Sequence, residues 1–373
     1  MALAPLALDT YLPAFPAMAD SFGVNVHEIS LSISIYVFML ALGQLVGGPL
    51  SDRYGRGLIM LSGLSLFTIT SLLISQTTSL TTLLILRALQ AFGGGWAMVC
   101  VPAIVRDKLS GIEAAKFFSL IGLIMIIAPA IAPAIVSLLL HFSSWVSIFL
   151  FLGIYSIVLA ILLKLVIFRG QAPTSTAVPI SIWQRYSSVF STRAGMPFMF
   201  LQMLAFSVMM LFITHSSFIY QEHFGVGPAV FSLLFGVNVV MMLVMNLTNR
   251  ALLKRSVAPE TILRAGLTMQ GVGVVLLLLV VTLAPSLWLF VPAMVITVGA
   301  LGAVGPNIQA CFMEYFPQNS GTAAALIGAT QFLFAGLVSA LSILLPETLL
   351  SIVLCQAACS AMCLLLVWRK RQV

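Results

Sequence analysis

The sequence predicts an all-α polytopic membrane protein, with about twelve transmembrane helices as two six-helix bundles. Three observations carry that reading. Charged residues make up 7% of the 373 and apolar residues 61%, with mean hydropathy +1.14, whereas a soluble domain carries about 25% charged residues to cover its surface. Phe117 to Leu163 and Ala265 to Met313 contain no Asp, Glu, Lys or Arg. Each is long enough for two spans of about 20 residues joined by a tight turn. The basic residues, finally, are confined to one set of loops. Apolar residues run in continuous blocks with no period of two, which excludes a β-barrel and leaves helices as the way to satisfy the backbone in lipid.

Taken in order, the spans cover residues 1–20, 30–50, 58–76, 80–105, 117–139, 146–167, 196–219, 229–249, 262–283, 287–309, 322–345 and 348–368. Turn residues mark the boundaries inside the charge-free stretches: His141-Phe142-Ser143-Ser144 in the first and Ala284-Pro285-Ser286 in the second. Arg169 to Arg193 is the longest polar interval, holding Pro173, Thr174, Ser175, Thr176 and Pro179, then an amphipathic segment at Trp183 to Phe190. It divides the chain into an N-terminal bundle (1–168), a cytoplasmic linker (169–195) and a C-terminal bundle (196–373).

With the N-terminus placed in the cytoplasm, 16 of the 17 basic residues fall on that side and none in an outer loop. They include Arg53 and Arg56 after span two, Arg106, Lys108 and Lys116 after span four, Arg250 to Arg264 after span eight, and Arg369 to Arg371 in the tail. The positive-inside rule therefore puts both termini in the cytoplasm. It also accounts for the net charge of +7 without a nucleic-acid partner. The five cysteines all lie in apolar stretches, so neither a disulfide framework nor a metal site is expected. No P-loop is present, so an ion gradient must supply the energy and no cofactor is expected. G-x-S-x-G and H-E-x-x-H are absent, which argues against an intramembrane enzyme. Weak internal echoes, Gly48–Arg56 against Asn246–Arg255 and Arg106–Lys116 against Glu314–Gly321, suit two repeats around a central site better than a channel.

The sharpest motif is Gly48-Pro49-Leu50-Ser51-Asp52-Arg53-Tyr54-Gly55-Arg56. Gly48 and Gly55 suit a tight turn, and Asp52 is expected to face the positive N-terminal end of another helix, the one starting near Ser320-Gly321-Thr322. Such a contact can form in one transport state and break in another, which makes Gly48, Asp52, Arg53, Gly55 and Arg56 a conformational latch. The motif resembles the loop signature of the major facilitator superfamily, G-x-L-a-D-R-x-G-R-K, with Gly57 in place of the final lysine. Arg87-Ala88-Leu89-Gln90 in span four is similar to that superfamily's R-x-x-Q-G motif, with Ala91 for the glycine. Ala128-Pro129-Ala130-Ile131-Ala132-Pro133 resembles its antiporter motif, although Pro129 and Pro133 also suit a plain kinked helix.

Leu8-Asp9-Thr10-Tyr11-Leu12-Pro13-Ala14-Phe15-Pro16, Tyr36 to Gln44 and Glu314-Tyr315-Phe316-Pro317 narrow the resemblance to the Bcr/CflA drug-resistance subfamily of bacterial proton antiporters. That resemblance implies a twelve-helix monomer of the bacterial inner membrane, exporting small drugs such as bicyclomycin or chloramphenicol in exchange for protons. The alternative substrate is an endogenous metabolite, such as a siderophore or an amino-acid derivative. Relatives generally begin further upstream, so a native start before Met1 is an expectation. The first residues carry no basic stretch and do not read as a cleaved signal peptide.

Asp9 and Arg87 are the charges placed well inside predicted spans. Intramembrane ionisable groups point to function, so the pair is assigned to proton coupling, with a structural ion pair as the plainer reading. Tyr11, Tyr36, Gln44, Asn238, Asn307 and Gln331 are the candidate substrate-cavity residues. Gln202 and His215 are further polar positions, for which an interhelical hydrogen bond is the simpler expectation.

Overall fold

The structure, a computed structural model, describes residues 3–11, 14–24, 26–142, 144–167, 181–283, 285–342, 344–346 and 348–369. Helices α1 (Leu3–Asp9) and α2 (Phe15–Phe22) are short; α3 (Val26–Tyr54), α4 (Arg56–Ile74), α5 (Leu80–Lys108), α6 (Gly111–Phe142) and α7 (Val146–Leu162) follow. After α8 (Ile182–Ser191) come α9 (Met196–Ser217), α10 (Pro228–Lys254), α11 (Pro259–Leu283), α12 (Leu287–Gly299), α13 (Leu301–Met313), α14 (Ser320–Ser342) and α15 (Leu349–Arg369). Single π-helical turns extend α7 at Leu163–Ile167 and α9 at Phe218–His223. No strand occurs among the described residues.

Eleven of the described helices are long and apolar enough to cross a membrane, with α12 and α13 counted together as Leu287–Met313. The twelfth expected span, residues 1–20, corrects to two short helices. A continuous helix would pair the Ala7 carbonyl with the Tyr11 amide. Instead, α1 ends at Asp9, the Ala7 carbonyl accepts from the Arg87 guanidinium, and the Tyr11 carbonyl accepts from the Ala14 amide at 3.0 Å. Pro, which needs no amide partner, stands in the first turn of α2.

The helices sort into two compact units. The first comprises Met1–Lys108, Ile127–Ser191 and Phe316–Ala329; the second comprises Leu109–Ile126, Thr192–Tyr315 and Thr330–Val373. Both are inside-out by the standard of a soluble protein. Leu58, Ile85, Val272 and Leu337 are each more than half exposed, while Arg87, Gln90, Asn249, Gln270 and Gln356 are fully buried. Lipid is as apolar as leucine, so close packing and internal hydrogen bonds must hold such helices together.

Small residues make the packing close. In the first unit, a β-carbon on Gly95 of α5 would stand 2.6 Å from the Leu40 carbonyl oxygen of α3. In the second, a β-carbon on Gly302 of α13 would collide with the Met242 carbonyl of α10. Phe212, Tyr220, Phe290, Met294 and Ile352 belong to an apolar cluster of the second unit.

Candidate functional site

Two charged centres lie within the first unit. The turn between α3 and α4 depends on Gly55, whose φ of 93° belongs to the region where a side chain is strained. That turn brings Arg56 back beside Asp52 in the last turn of α3. The Asp52 side chain is only 1% exposed, and its partners belong to the start of α14. Oδ1 accepts from the Gly321 amide at 2.9 Å; Oδ2 accepts from the Thr322 amide at 2.8 Å and from the Thr322 hydroxyl. First-turn amides have no partner inside their own helix, and the positive end of the dipole sits there. Asp52 is thus an N-terminal cap supplied by a different helix.

Arg56 ties the arrangement together. Its Nη1 pairs with Asp52 Oδ1 at 2.5 Å and its Nε with Asp107 Oδ2 at 3.0 Å. Nη1 and Nη2 also donate to the hydroxyls of Ser51 (2.7 Å) and Ser320 (2.8 Å). The Ser320 hydroxyl in turn donates to Asp107 Oδ1 at 2.5 Å. Two carboxylates against one guanidinium leave a net negative charge facing the helix end. Gly48 makes the approach feasible, since a β-carbon there would meet the Gly321 carbonyl oxygen at 2.5 Å and Ala325 closer still. Arg53 stands apart from this network: it is exposed, with its guanidinium 5.1 Å from the Tyr54 ring centre.

The second centre is Arg87 on α5, fully buried. Its guanidinium carbon lies 4.1 Å from the ring centres of both Tyr11 and Tyr36 and 5.8 Å from that of Phe149. Nη1 donates to Gln90 Oε1 at 2.6 Å, and both Nη atoms donate to the Ala7 carbonyl at 3.3 Å. Gln90 Nε2 continues the chain to the Ser71 hydroxyl at 2.7 Å. The Tyr11 hydroxyl bonds Ser32 at 2.8 Å, and the Tyr36 hydroxyl donates to the Ala4 carbonyl at 3.1 Å. A desolvated guanidinium gains from aromatic faces, and a positive charge suits the C-terminal end of α1. Asp9 is the last residue of α1, two beyond the carbonyl that Arg87 holds. The Asp9 side chain lies outside the described residues, as do the side chains of Pro129 and Pro133, whose backbones continue α6.

The remaining candidates divide between the units. In the first, Gln44 is 2% exposed; its Nε2 lies 3.8 Å from Met98 Sδ, and its Oε1 covers the α-carbon of Gly328. In the second, Asn238 is bonded to the Leu234 carbonyl of its own helix. Asn307 Nδ2 donates to Asn249 Oδ1 at 2.8 Å, and Gln202 Nε2 donates to Gln331 Oε1 at 2.6 Å. His215 Nε2 meets the Ser342 hydroxyl at 2.8 Å. Asp107 and Asn249 were not singled out from sequence. The one available signal for Asp107 was an acid set between the basic pair Arg106 and Lys108.

Comparison with known proteins follows the same lines. The sequence profile of the Major Facilitator Superfamily matches residues 1–340. A bicyclomycin resistance protein homolog of Haemophilus influenzae is 27% identical, over 91% of this chain and 85% of its own length. Multidrug resistance protein D of Escherichia coli is 26% identical, over 93% of this chain and 87% of its own length. The crystal structure of FucP, a major facilitator transporter, superposes with a TM-score of 0.80 at 15% identity, covering 100% of this chain and 96% of that one. At that identity it speaks to the fold alone. With its helices, its motif residues and its relatives in agreement, the chain belongs to the major facilitator superfamily of membrane transporters and, within it, is Bcr/CflA-like.

Proposed function

We propose that this protein exports small drug-like molecules across the bacterial inner membrane in exchange for protons, by alternating access. The observation that carries this reading is the cap placed by Asp52 on α14 within a network of opposed charges. Its bonds to the start of α14 share one carboxylate, so they are made and lost together, which suits a two-state element. With both termini in the cytoplasm, the latch lies at the cytoplasmic ends of α3 and α14. Its formed state corresponds to closure on that side. The relatives named for bicyclomycin and multidrug resistance support the drug class.

For the proton, the reading assigns Asp9 as carrier and Arg87 as the group that tunes it. Arg87 is held by the end of α1 and by two tyrosine rings. A change in charge at Asp9 would act on a guanidinium that also anchors α1 against α5. The proton gradient is then the energy source, and the protein works as a monomer without a cofactor. The test uses inside-out membrane vesicles that are acidified within by an imposed gradient and supplied with labelled bicyclomycin. Gradient-dependent accumulation that collapses with an uncoupler is expected. Accumulation unaffected by the uncoupler, or absent across a panel of antibiotics, would overturn the reading.

A further inference from the structure

Helices α9 and α14 are bridged by a row of side chains that the latch does not use. Gln202 Nε2 donates to Gln331 Oε1 at 2.6 Å. The rings of Phe206 and Phe332 meet edge to face, with centres 5.2 Å apart. Further along, the hydroxyls of Thr214 and Ser339 pair at 2.5 Å, and His215 Nε2 meets the Ser342 hydroxyl at 2.8 Å. All of these residues belong to the second unit.

The hydroxyl pair and the amide pair differ in what they leave over. Two hydroxyls joined by one bond make a plain interhelical tie. Two primary amides hold two oxygens and two NH2 groups, and the single bond between them uses one of each. Gln202 Oε1 is buried with no partner. Gln331 Nε2 is neither buried nor bonded to a described residue. Turning both amides over exchanges the roles but still leaves one oxygen and one NH2 group. An unpartnered buried acceptor is unfavourable, and a tie made only to hold two helices has no reason to carry one.

The surplus groups have a defined complement. A free acceptor beside a free donor matches an edge that presents N–H beside C=O. A secondary amide does so in its cis form, as in a lactam ring, whereas the trans form points the two in opposite directions. Gln202, Phe206, Gln331 and Phe332 are each partly exposed. The terminal torsion of a glutamine is soft, so Gln202 Oε1 can turn to that surface at small cost. Lipid could satisfy neither group. Phe206 lies one turn beyond Gln202 on the same helix face, and the two phenyl rings supply an apolar wall. No Asp, Glu, Lys or Arg occurs between residues 196 and 220 or between 315 and 346, so these helices offer a charged ligand no counter-ion.

We propose that Gln202 and Gln331 form a subsite for a neutral molecule carrying a cis secondary amide, a lactam or cyclic dipeptide, with Phe206 and Phe332 against its apolar part. This names a substrate class for the export reading, and the role in transport rests on that reading; the binding does not.

The probe is labelled cyclo(Leu-Phe), a ring with two cis amides, in equilibrium dialysis against the purified protein in detergent. Its N,N′-dimethyl derivative keeps the ring and loses the donors. N-acetylphenylalanine methylamide keeps amide and phenyl groups, but its amides are trans. The wild type should bind the ring at least about tenfold more tightly than either control. Absence of binding by the ring, or binding equal to that of either control, overturns the subsite, and this comparison needs no variant. Gln202→Leu and Gln331→Leu, each checked by melting temperature, should bind the ring and its dimethyl derivative alike. A wild-type preference retained in either folded variant overturns the assignment to these side chains. The vesicle assay separates the two readings. Ring binding with these preferences, but no gradient-dependent accumulation of any drug, overturns export and leaves the subsite. Accumulation of bicyclomycin without binding of the ring overturns the subsite alone.

Discussion

Replacing Asp52 by Asn isolates the charge of the latch from its shape. The two side chains have the same size, but the amide keeps one acceptor oxygen where the carboxylate offers two. In the wild type, Oδ1 and Oδ2 accept from the Gly321 amide, the Thr322 amide and the Thr322 hydroxyl, and Oδ1 also pairs with Arg56. With Asn, an NH2 group would face donors on one side, and the bonds on the other would no longer be charge-assisted. Charge-assisted hydrogen bonds contribute about 1.5–3 kcal/mol each, and a negative charge at a helix N-terminus up to about 2 kcal/mol. Asp107 still holds Arg56, so part of the network survives. A net loss of about 2–3 kcal/mol from the formed latch is a shift of roughly 30- to 150-fold in the ratio of formed to broken states. The assay is hydrogen exchange at residues 316–329 together with drug efflux from cells. Exchange should rise by that order and efflux should fall, while the affinity for the transported drug changes little. Wild-type exchange with wild-type efflux would refute the reasoning; slowed efflux with unchanged exchange would mean that Asp52 acts other than through α14.

Arg87→Ala should lower thermal stability, because the Ala7 carbonyl and Gln90 lose their partner. It should also move the pH optimum of proton-driven transport upward, since removing a positive charge near the end of α1 favours protonated Asp9; an unmoved optimum would count against coupling. Arg87→Lys should recover only part of the wild-type stability, because an ammonium lacks the planar face that Tyr11 and Tyr36 cover. Gly302→Ala should lower the melting temperature by overpacking α13 against the Met242 carbonyl, at a cost of about 1–3 kcal/mol, and an unchanged melt would show that the helices separate freely there. On α8 the neutral Tyr186 hydroxyl donates to the Leu45 carbonyl of α3, and burial pushes its phenol up. Its contribution should therefore be complete below the ordinary tyrosine value of about 10 and lost only as pH rises through the higher folded value. The absorbance difference between wild type and Tyr186→Phe should show phenolate forming later than in free tyrosine.

The fold was legible because its signals are collective: low charge, apolar blocks of span length and basic residues on one side do not depend on any single contact. Asp52 was legible for a different reason, since the spacing of Gly48, Asp52, Gly55 and Arg56 describes a tight turn with a charge beside it. Hydropathy could not show that the first span is broken. The apolar run of residues 1–20 reads as continuous, although Pro13 cannot donate to the Asp9 carbonyl four residues before it; that the Ala7 carbonyl would be met by Arg87, some 80 residues further on, was not legible at all. Facing was equally hidden. Tyr11 and Tyr36 read as polar groups of their spans, with no sign that their rings would enclose Arg87. Asp107 read as one charge among several in a loop, whereas it completes the pairing of Arg56. Helical periodicity locates a residue along a span but does not specify which neighbour will meet it.

Proton exchange is the central claim, and proton release on binding tests it most directly. Purified protein in weakly buffered detergent solution is mixed with bicyclomycin while a pH indicator is followed, for wild type and for Asp9→Asn. The wild type should acidify the solution on binding, and Asp9→Asn should bind the drug with no release at all. Release from Asp9→Asn equal to that of the wild type would contradict the assignment of Asp9, and binding without release in the wild type would contradict proton exchange itself.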